Sequence, residues 1–255
     1  MYRRFLSPYV HRLLSVATPV EFLAKNTSIR SQILHIGAHE GEEASNYANL
    51  GFREVAWVEA QPEIFEKLKM IIGARFCLQG AVWSEKSILE LNISSNSVST
   101  SLLEFGSMTP WKELETLKRV RVETLTLADV VETFNKRNLL LEKFILVLDI
   151  QGAEYEALKT VGRISRNVHA ISCEISVKPT YENGAKRRKV IRKLLRHGYI
   201  PLTSFLDSDT LHGDQLFVKY PNLFLRPKLI FVSLIRMTLL KLIKLKNSKL
   251  SKEKK

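Results

Sequence analysis

Cysteine is scarce in this chain of 255 residues, with Cys77 and Cys173 the only two. They lie far apart, lack CxxC spacing, and each sits in an apolar run that reads as a buried strand. No disulfide framework and no zinc signature follow, and a reduced, cytoplasmic setting is expected. Long apolar runs are also missing. No stretch reaches about 18 uninterrupted apolar residues, so none qualifies as a transmembrane helix. The region from Phe5 to Leu23 is broken by Pro8, His11, Arg12, Pro19 and Glu21, which argues against a secretory signal. Walker phosphate loops, nucleophile elbows and internal repeats are absent. His35 and His39 straddle a strand-to-turn junction and so do not share one helix face, as a zinc-binding HExxH would require, and no metal-ligand set is expected.

With 45% hydrophobic and 25% charged residues, the chain can bury a full core without staples, and its length suits one α/β domain with extensions, or at most two small domains. Its formal charge of +13 invites a nucleic-acid reading, but the charge sits at the ends. From Arg236 onward eight Lys or Arg oppose one acid, Glu253, and residues 1–30 hold five basic residues against Glu21. Residues 31–235 are therefore close to neutral, which weakens the case for nucleic acid. The run Lys186-Arg187-Arg188-Lys189 reads as the solvated face of a helix.

The middle of the chain alternates short β-branched runs with helical patterns, as in a parallel sheet with crossover helices. A strand over Ile33–Ile36 runs into Gly37-Ala38-His39-Glu40-Gly41. A helix over 42–50 follows, with Glu42 and Glu43 in its first turn and Gly51 as its stop. A second strand, 54–58, ends in Glu59-Ala60-Gln61. Pro62 then opens a helix striped by Ile64, Phe65, Leu68, Ile71 and Ile72 and closed by Gly73. Further strands are expected over 76–79, at Ala81-Val82, and over 89–93. The Ser-rich stretch 94–101 reads as a long loop, of the kind that serves a site or stays disordered. Strand 144–148 delivers Asp149-Ile150-Gln151-Gly152-Ala153-Glu154 and a helix to about Val161. Strand 170–173 ends at Glu174, a helix carries Val190, Ile191, Leu194 and Leu195, and strands near 199–203 and 215–219 close the domain as an antiparallel hairpin. Beyond Pro227, residues 229–245 are apolar but punctuated by Arg236, Lys241 and Lys244, and the remainder is mostly Lys and Ser.

Three constellations lie at the carboxyl ends of expected parallel strands, where open α/β sheets bind ligands. The Gly37-x-x-x-Gly41 turn lets backbone approach a ligand closely, although any tight strand-to-helix turn also needs glycine and the full GxGxxG spacing is absent. Glu59 can accept hydrogen bonds from both hydroxyls of a ribose, or can simply cap the next helix. Turn and acid together point to a nucleoside-containing ligand. Asp149, with Glu174 ending the neighbouring strand, offers paired carboxylates for acid–base work; the plainer reading makes Asp149 a helix cap. His35, at a strand end, reads as a hydrogen-bonded structural residue rather than a catalyst.

The segments ILHIGAHEGEE (33–43), VEAQPEIFEKLK (58–69), AVWSEKSILELNI (81–93), SVSTSLLE (97–104), VETLTLADVV (122–131), LVLDIQGAEYEALKTVG (146–162), ISCEIS (171–176) and HGY (197–199) together resemble the FkbM family of S-adenosylmethionine-dependent methyltransferases. They occur in family order across roughly residues 31–220. One departure is His35, where many relatives carry Asp. The resemblance implies a Rossmann-like α/β domain over 31–220, with a mostly parallel seven-stranded sheet and a C-terminal antiparallel hairpin, flanked by a basic extension (1–30) and an apolar, basic C-terminal segment (221–255). It implies S-adenosylmethionine as cofactor, with Gly37, Ala38 and Gly41 along its methionine and ribose, Glu59 on the ribose hydroxyls, and Ala60, Ala81, Asp149 and His35 nearby. Asp149 and Glu174 become the candidate catalytic residues, and the expected acceptor is a hydroxyl on a glycan or small metabolite.

Residues 228–255 suit peripheral contact with the inner face of a membrane, or a helix packed on the domain. Two rivals remain: a non-catalytic S-adenosylmethionine-binding interaction module, and an RNA or protein methyltransferase.

Overall fold

A computed structural model describes residues 18–27, 31–106, 113–140, 143–178, 180–206, 212–220 and 230–241. The expected N-terminal extension falls within these only at 18–27, and the Lys-rich segment after residue 241 lies outside them. In chain order the elements are α1 (Pro19–Asn26), β1 (Gln32–Ile36), α2 (Ala44–Asn49), β2 (Val55–Glu59), α3 (Pro62–Ile72), β3 (Cys77–Gln79), β4 (Ala81–Val82), β5 (Ile88–Ser94), β6 (Thr116–Leu125), α4 (Leu127–Lys136), β7 (Phe144–Leu148), α5 (Glu154–Leu158), β8 (Val168–Ser176), α6 (Arg187–Arg196), β9 (Tyr199–Leu206), β10 (His212–Lys219) and α7 (230–241).

Seven strands form one sheet in the order β3–β2–β1–β7–β8–β10–β9. The first five run parallel; β10 is antiparallel to both β8 and β9, which makes the expected closing hairpin. The chain leaves β1 toward β2 on one side and returns to β7 on the other, so the order reverses at β1. At that switch point the strand tips diverge and leave a crevice. β7 is buried along its whole length, as a central strand covered on both faces must be.

Alternation along β1 splits the core. Leu34 and Ile36 join a cluster with Val130, Phe134, Leu158 and Leu194 from α4, α5 and α6. Ile33 faces the other way, with Phe22, Tyr47 and Leu68 from α1, α2 and α3. A smaller sheet, ordered β4–β6–β5, covers its own cluster of Ala81, Leu91, Ile93 and Val122.

Several local expectations shift. Helix α2 begins at Ala44 with Glu43 as its N-cap and no acid in its first turn, because Gly41 and Glu42 are spent on the turn after β1. Phe76 belongs to a short 3-10 turn rather than to β3. Ile71 projects into solvent, and Ile64, Phe65 and Leu68 form the buried stripe of α3. The helix after Asp149 ends at Leu158, and a 3-10 turn continues through Val161–Arg163. The long strand β6 and helix α4 were not expected. Thr126 and Asp129 cap α4 reciprocally, side chain to backbone in both directions, a capping box legible as Thr-x-x-Asp.

Candidate active site

The tips of β1, β2 and β7 enclose a cavity of about 190 Å³. Its walls include Gly37, Ala38, Glu59, Ala60, Ala81 and Asp149, which brings together six of the residues expected from the sequence. The turn after β1 is fixed first. The N–H groups of Gly37 and Ala38 both donate to the Val58 carbonyl at 3.0 Å, and the Gly41 N–H donates to the Ala38 carbonyl at 2.8 Å. Gly37 has φ +87°, and a Cβ built on it would stand 1.7 Å from the Asp149 carbonyl oxygen. The glycine therefore lets β1 and β7 approach each other, and it thereby sets where Asp149 stands.

Glu59 closes the β2 tip. His39 N–H donates to its Oε2 at 2.8 Å and Gln61 N–H to its Oε1 at 2.7 Å. Each oxygen keeps a further lone pair. Burial holds the carboxyl above its usual range, and the two backbone donors pull it back. His39 has φ +44°; its ring meets Glu42 at 2.6 Å and the Ser97 hydroxyl at 2.9 Å.

The Ser-rich loop forms another wall through Ser97, Val98, Thr100 and Ser101. It is ordered by its own polar groups. Asn96 Oδ1 accepts from the Ser94 hydroxyl at 2.8 Å and the Ser99 N–H at 3.0 Å, and the Ser101 hydroxyl donates to the Gln151 carbonyl at 2.6 Å. The loop is therefore a structured wall of the cavity rather than a disordered stretch. Composition marked the loop; which of its residues face inward was not legible, and Glu42, Glu43, Ser97 and Thr100 were missed as wall residues.

Asp149 follows β7 directly. Burial raises its carboxyl pKa; His35 and Gln151 act in the opposite direction. The Gln151 amide donates to Asp149 Oδ1 at 2.7 Å and accepts from the Tyr181 hydroxyl at 2.8 Å. Gln151 has φ +53°, a left-handed conformation that a non-glycine residue holds only when its surroundings impose it. Beyond it lies a smaller pocket of about 20 Å³, lined in part by Glu154, Glu174, Ser176, Thr180, Tyr181 and His212.

Three expected residues lie off the main cavity. Glu174 lines the smaller pocket, where its Oε1 meets His212 Nε2 at 2.7 Å; strand β10 brings His212 alongside β8. Burial, then the charges of Asp149 and Asp214, push Glu174 well above the usual carboxylate range. Gly41 is absent from the cavity wall, and a Cβ there would meet Leu68 Cδ1 at 2.9 Å. His35 is buried one layer below. Its ring stacks on Trp57 with centroids 5.1 Å apart, and its Nδ1 meets the Tyr47 hydroxyl at 3.2 Å. Burial lowers its pKa to about 4, so it is neutral near pH 7, as a structural histidine would be. Among the described residues no group of three or more His, Cys, Asp or Glu could hold a metal ion.

A family model for the FkbM methyltransferase domain matches residues 35–201, from the β1 tip to β9. The chain belongs to the FkbM methyltransferase family. It is an S-adenosylmethionine-dependent methyltransferase with a Rossmann-like fold. Solved structures similar to this FkbM methyltransferase include three enzymes. One is a TehB-like S-adenosylmethionine-dependent methyltransferase from Corynebacterium glutamicum (10% identity over 79% of this chain and 86% of that one, TM-score 0.41). The second is magnesium protoporphyrin IX methyltransferase from Synechocystis with bound S-adenosylmethionine (10%, 83% and 79%, 0.42). The third is a methyltransferase from Pyrococcus furiosus (13%, 79% and 82%, 0.39). These likenesses are remote, and the assignment rests on the family match. No curated protein matches the chain.

Proposed function

We propose that this FkbM methyltransferase binds S-adenosylmethionine in the cavity at the tips of β1, β2 and β7, and methylates a hydroxyl of a glycan or small metabolite. The sign of the cavity's charge carries the reading. Glu42, Glu43, Glu59 and Asp149 line it, and its described lining holds no Lys or Arg, in a chain of formal charge +13. An acidic hollow in a basic protein repels phosphate, so a dinucleotide is disfavoured, and it attracts a cation such as a sulfonium or ammonium group.

The residues present fit the adenosyl group. Glu59 keeps one lone pair on each oxygen after serving His39 and Gln61, enough for two ribose hydroxyls. Val58, Ala60, Ala81, Val82 and Leu91 supply apolar wall for a purine. Gly37 and Ala38 present bare backbone to the remainder; Gly41 and His35 support that turn from behind. When bound, the cofactor supplies a methyl group already activated by its sulfonium, so the protein's task is mainly alignment and exclusion of water.

A hydroxyl acceptor must still lose its proton. Asp149 is the wall carboxylate at the tip of β7, next to the adjoining pocket, and its raised pKa makes it a better base than an ordinary aspartate. Gln151 fixes one of its oxygens and leaves the other for the acceptor. The adjoining pocket, about 20 Å³ in volume and lined in part by Glu174, Ser176, Thr180, Tyr181 and His212, admits a single hydroxyl-sized group rather than a ring, and its polar lining supports an acceptor that carries hydroxyls. Glu174 serves there as a second hydrogen-bond acceptor.

Calorimetry with S-adenosylmethionine, followed by labelled-methyl transfer to glycan and metabolite fractions of the source cell, tests both parts. The expected product label is stable to alkali, as in a methyl ether; label released as methanol by alkali would mark a carboxylate acceptor instead. Asp149→Asn should bind the cofactor as the wild type does and lose transfer. No heat of binding at saturating ligand overturns the cofactor site, and unchanged turnover removes Asp149 from the chemistry.

A further inference from the structure

The helix α7 carries more apolar surface than the domain uses. Its inner face belongs to the core: Val232 is buried, and Ile230, Ile235 and Leu239 pack on the cluster that contains Phe22 and Leu202. Arg236 is also buried, its guanidinium 4.2 Å from the Phe205 ring centroid. The outer arc holds Phe231, Leu234, Met237 and Leu240, which are 63%, 58%, 37% and 38% exposed. At spacings of three these four step round the helix by about 60° each and so spread across the half that faces away from the core, where solvent alone should select polar residues. Thr238 and Lys241 are the other exposed positions on that side.

We propose that this arc is a docking surface for an anionic lipid bilayer, on which α7 lies flat. The sequence that follows supplies the matching charge: residues 242–255 contain six Lys and one acid, Glu253. An apolar stripe beside a polybasic segment is the pairing that interfacial helices need, since apolar burial and attraction to acidic headgroups are each weak alone. The described helix is too short to span. A helix over 230–241 is about 18 Å long against a hydrocarbon core of about 30 Å, and among the described residues no helix is long and apolar enough to cross a membrane. Pairing of two copies through the same arc would join two chains that each carry a formal charge of +13, and their repulsion opposes it. An acidic surface removes that cost. This inference is independent of the cofactor reading.

Flotation of the full chain with vesicles decides it. Wild-type protein should float with mixed phosphatidylglycerol–phosphatidylcholine vesicles and stay behind with pure phosphatidylcholine. Molar salt should release it, because the screening length falls from about 10 Å to about 3 Å. Phe231→Glu/Leu234→Glu should reduce flotation by about tenfold or more, with Tm and cofactor binding unchanged, because both side chains point away from the core. Equal flotation of the double variant, equal flotation with neutral vesicles, or no flotation at all overturns the proposal. So does a wild-type dimer in light scattering that the double variant dissolves, which would assign the arc to a second copy.

Discussion

Gly37 offers the sharpest test of how the fold builds the site. A methyl group there would lie 1.7 Å from the Asp149 carbonyl oxygen, whereas carbon–oxygen contacts settle near about 3.3 Å. Gly37→Ala must therefore push the β1 and β7 tips apart by roughly 1.6 Å, on top of the roughly 1–2 kcal/mol that an L-residue pays at positive φ. Gly198→Ala is the matched control. Gly198 has φ +78°, but its added Cβ meets only the flexible Lys219 Cε, at 3.8 Å, so the control carries the backbone term without the clash. In urea and thermal unfolding the control should lose roughly 1–2 kcal/mol, equal to roughly 2–8 °C in Tm for a chain of this size. Gly37→Ala should lose more than about 4 kcal/mol, or fail to fold. Whatever folded fraction survives should bind S-adenosylmethionine poorly, because Asp149 moves with the β7 tip. If Gly37→Ala unfolds within about 1 kcal/mol of Gly198→Ala, the claim that Gly37 exists to admit β7 is wrong.

Two further variants probe the carboxylates. Glu59→Gln keeps the shape but turns an NH2 toward one of the two backbone donors, so it loses an acceptor and gains a donor–donor clash. Cofactor affinity by calorimetry should fall about 10- to 100-fold, the equivalent of roughly 1.4–3 kcal/mol; an unchanged Kd would show that Glu59 only holds the turn. Burial, then the charge of Glu174, raises the Glu154 pKa to about 8, and its Oε1 accepts from the N–H groups of Ile150 and Gly152. Between pH 4.5 and pH 8 the unfolded chain ionises Glu154 while the folded chain keeps its proton, so wild-type stability should fall as pH rises across that window. Glu154→Gln retains an acceptor for both N–H groups and should flatten the slope, gaining on the order of 1–3 kcal/mol at pH 8 relative to pH 5. Parallel slopes for the two proteins would refute this.

Much of the frame was legible because it rests on local rules. Pro62 and Gly73 bracket α3, Gly51 closes α2 with φ +88°, and β7 reads as an unbroken apolar run. Strand β6 escaped because it is half exposed: Lys118, Arg119, Arg121 and Glu123 face water, as does Leu117, and Val120 and Val122 serve the small cluster under β5 while only Leu125 reaches the main core. Glu42 and Glu43 suited the start of a helix on propensity alone. The turn after β1 claims that stretch instead, and places both at the cavity. Glu174 was expected to share a cleft with Asp149. The two acids stay near enough for the charge of Asp149 to act on Glu174, but they line adjoining pockets, and the contact of Glu174 with His212 at 2.7 Å depends on β10 lying beside β8, which the sequence alone does not show.

Taken alone, the sequence determined the alternation of strands and helices, the glycine bend after β1, and the acids at the ends of β2 and β7. Periodicity and turn chemistry act over a few residues and leave their mark in the chain. Tertiary structure decided which of those residues share a wall, that the Ser-rich loop faces the crevice, that Gly37 answers to a carbonyl 112 positions away, and that α7 keeps an apolar arc toward solvent. Those outcomes depend on strand order and on burial, and both are set by packing between segments that are distant in sequence.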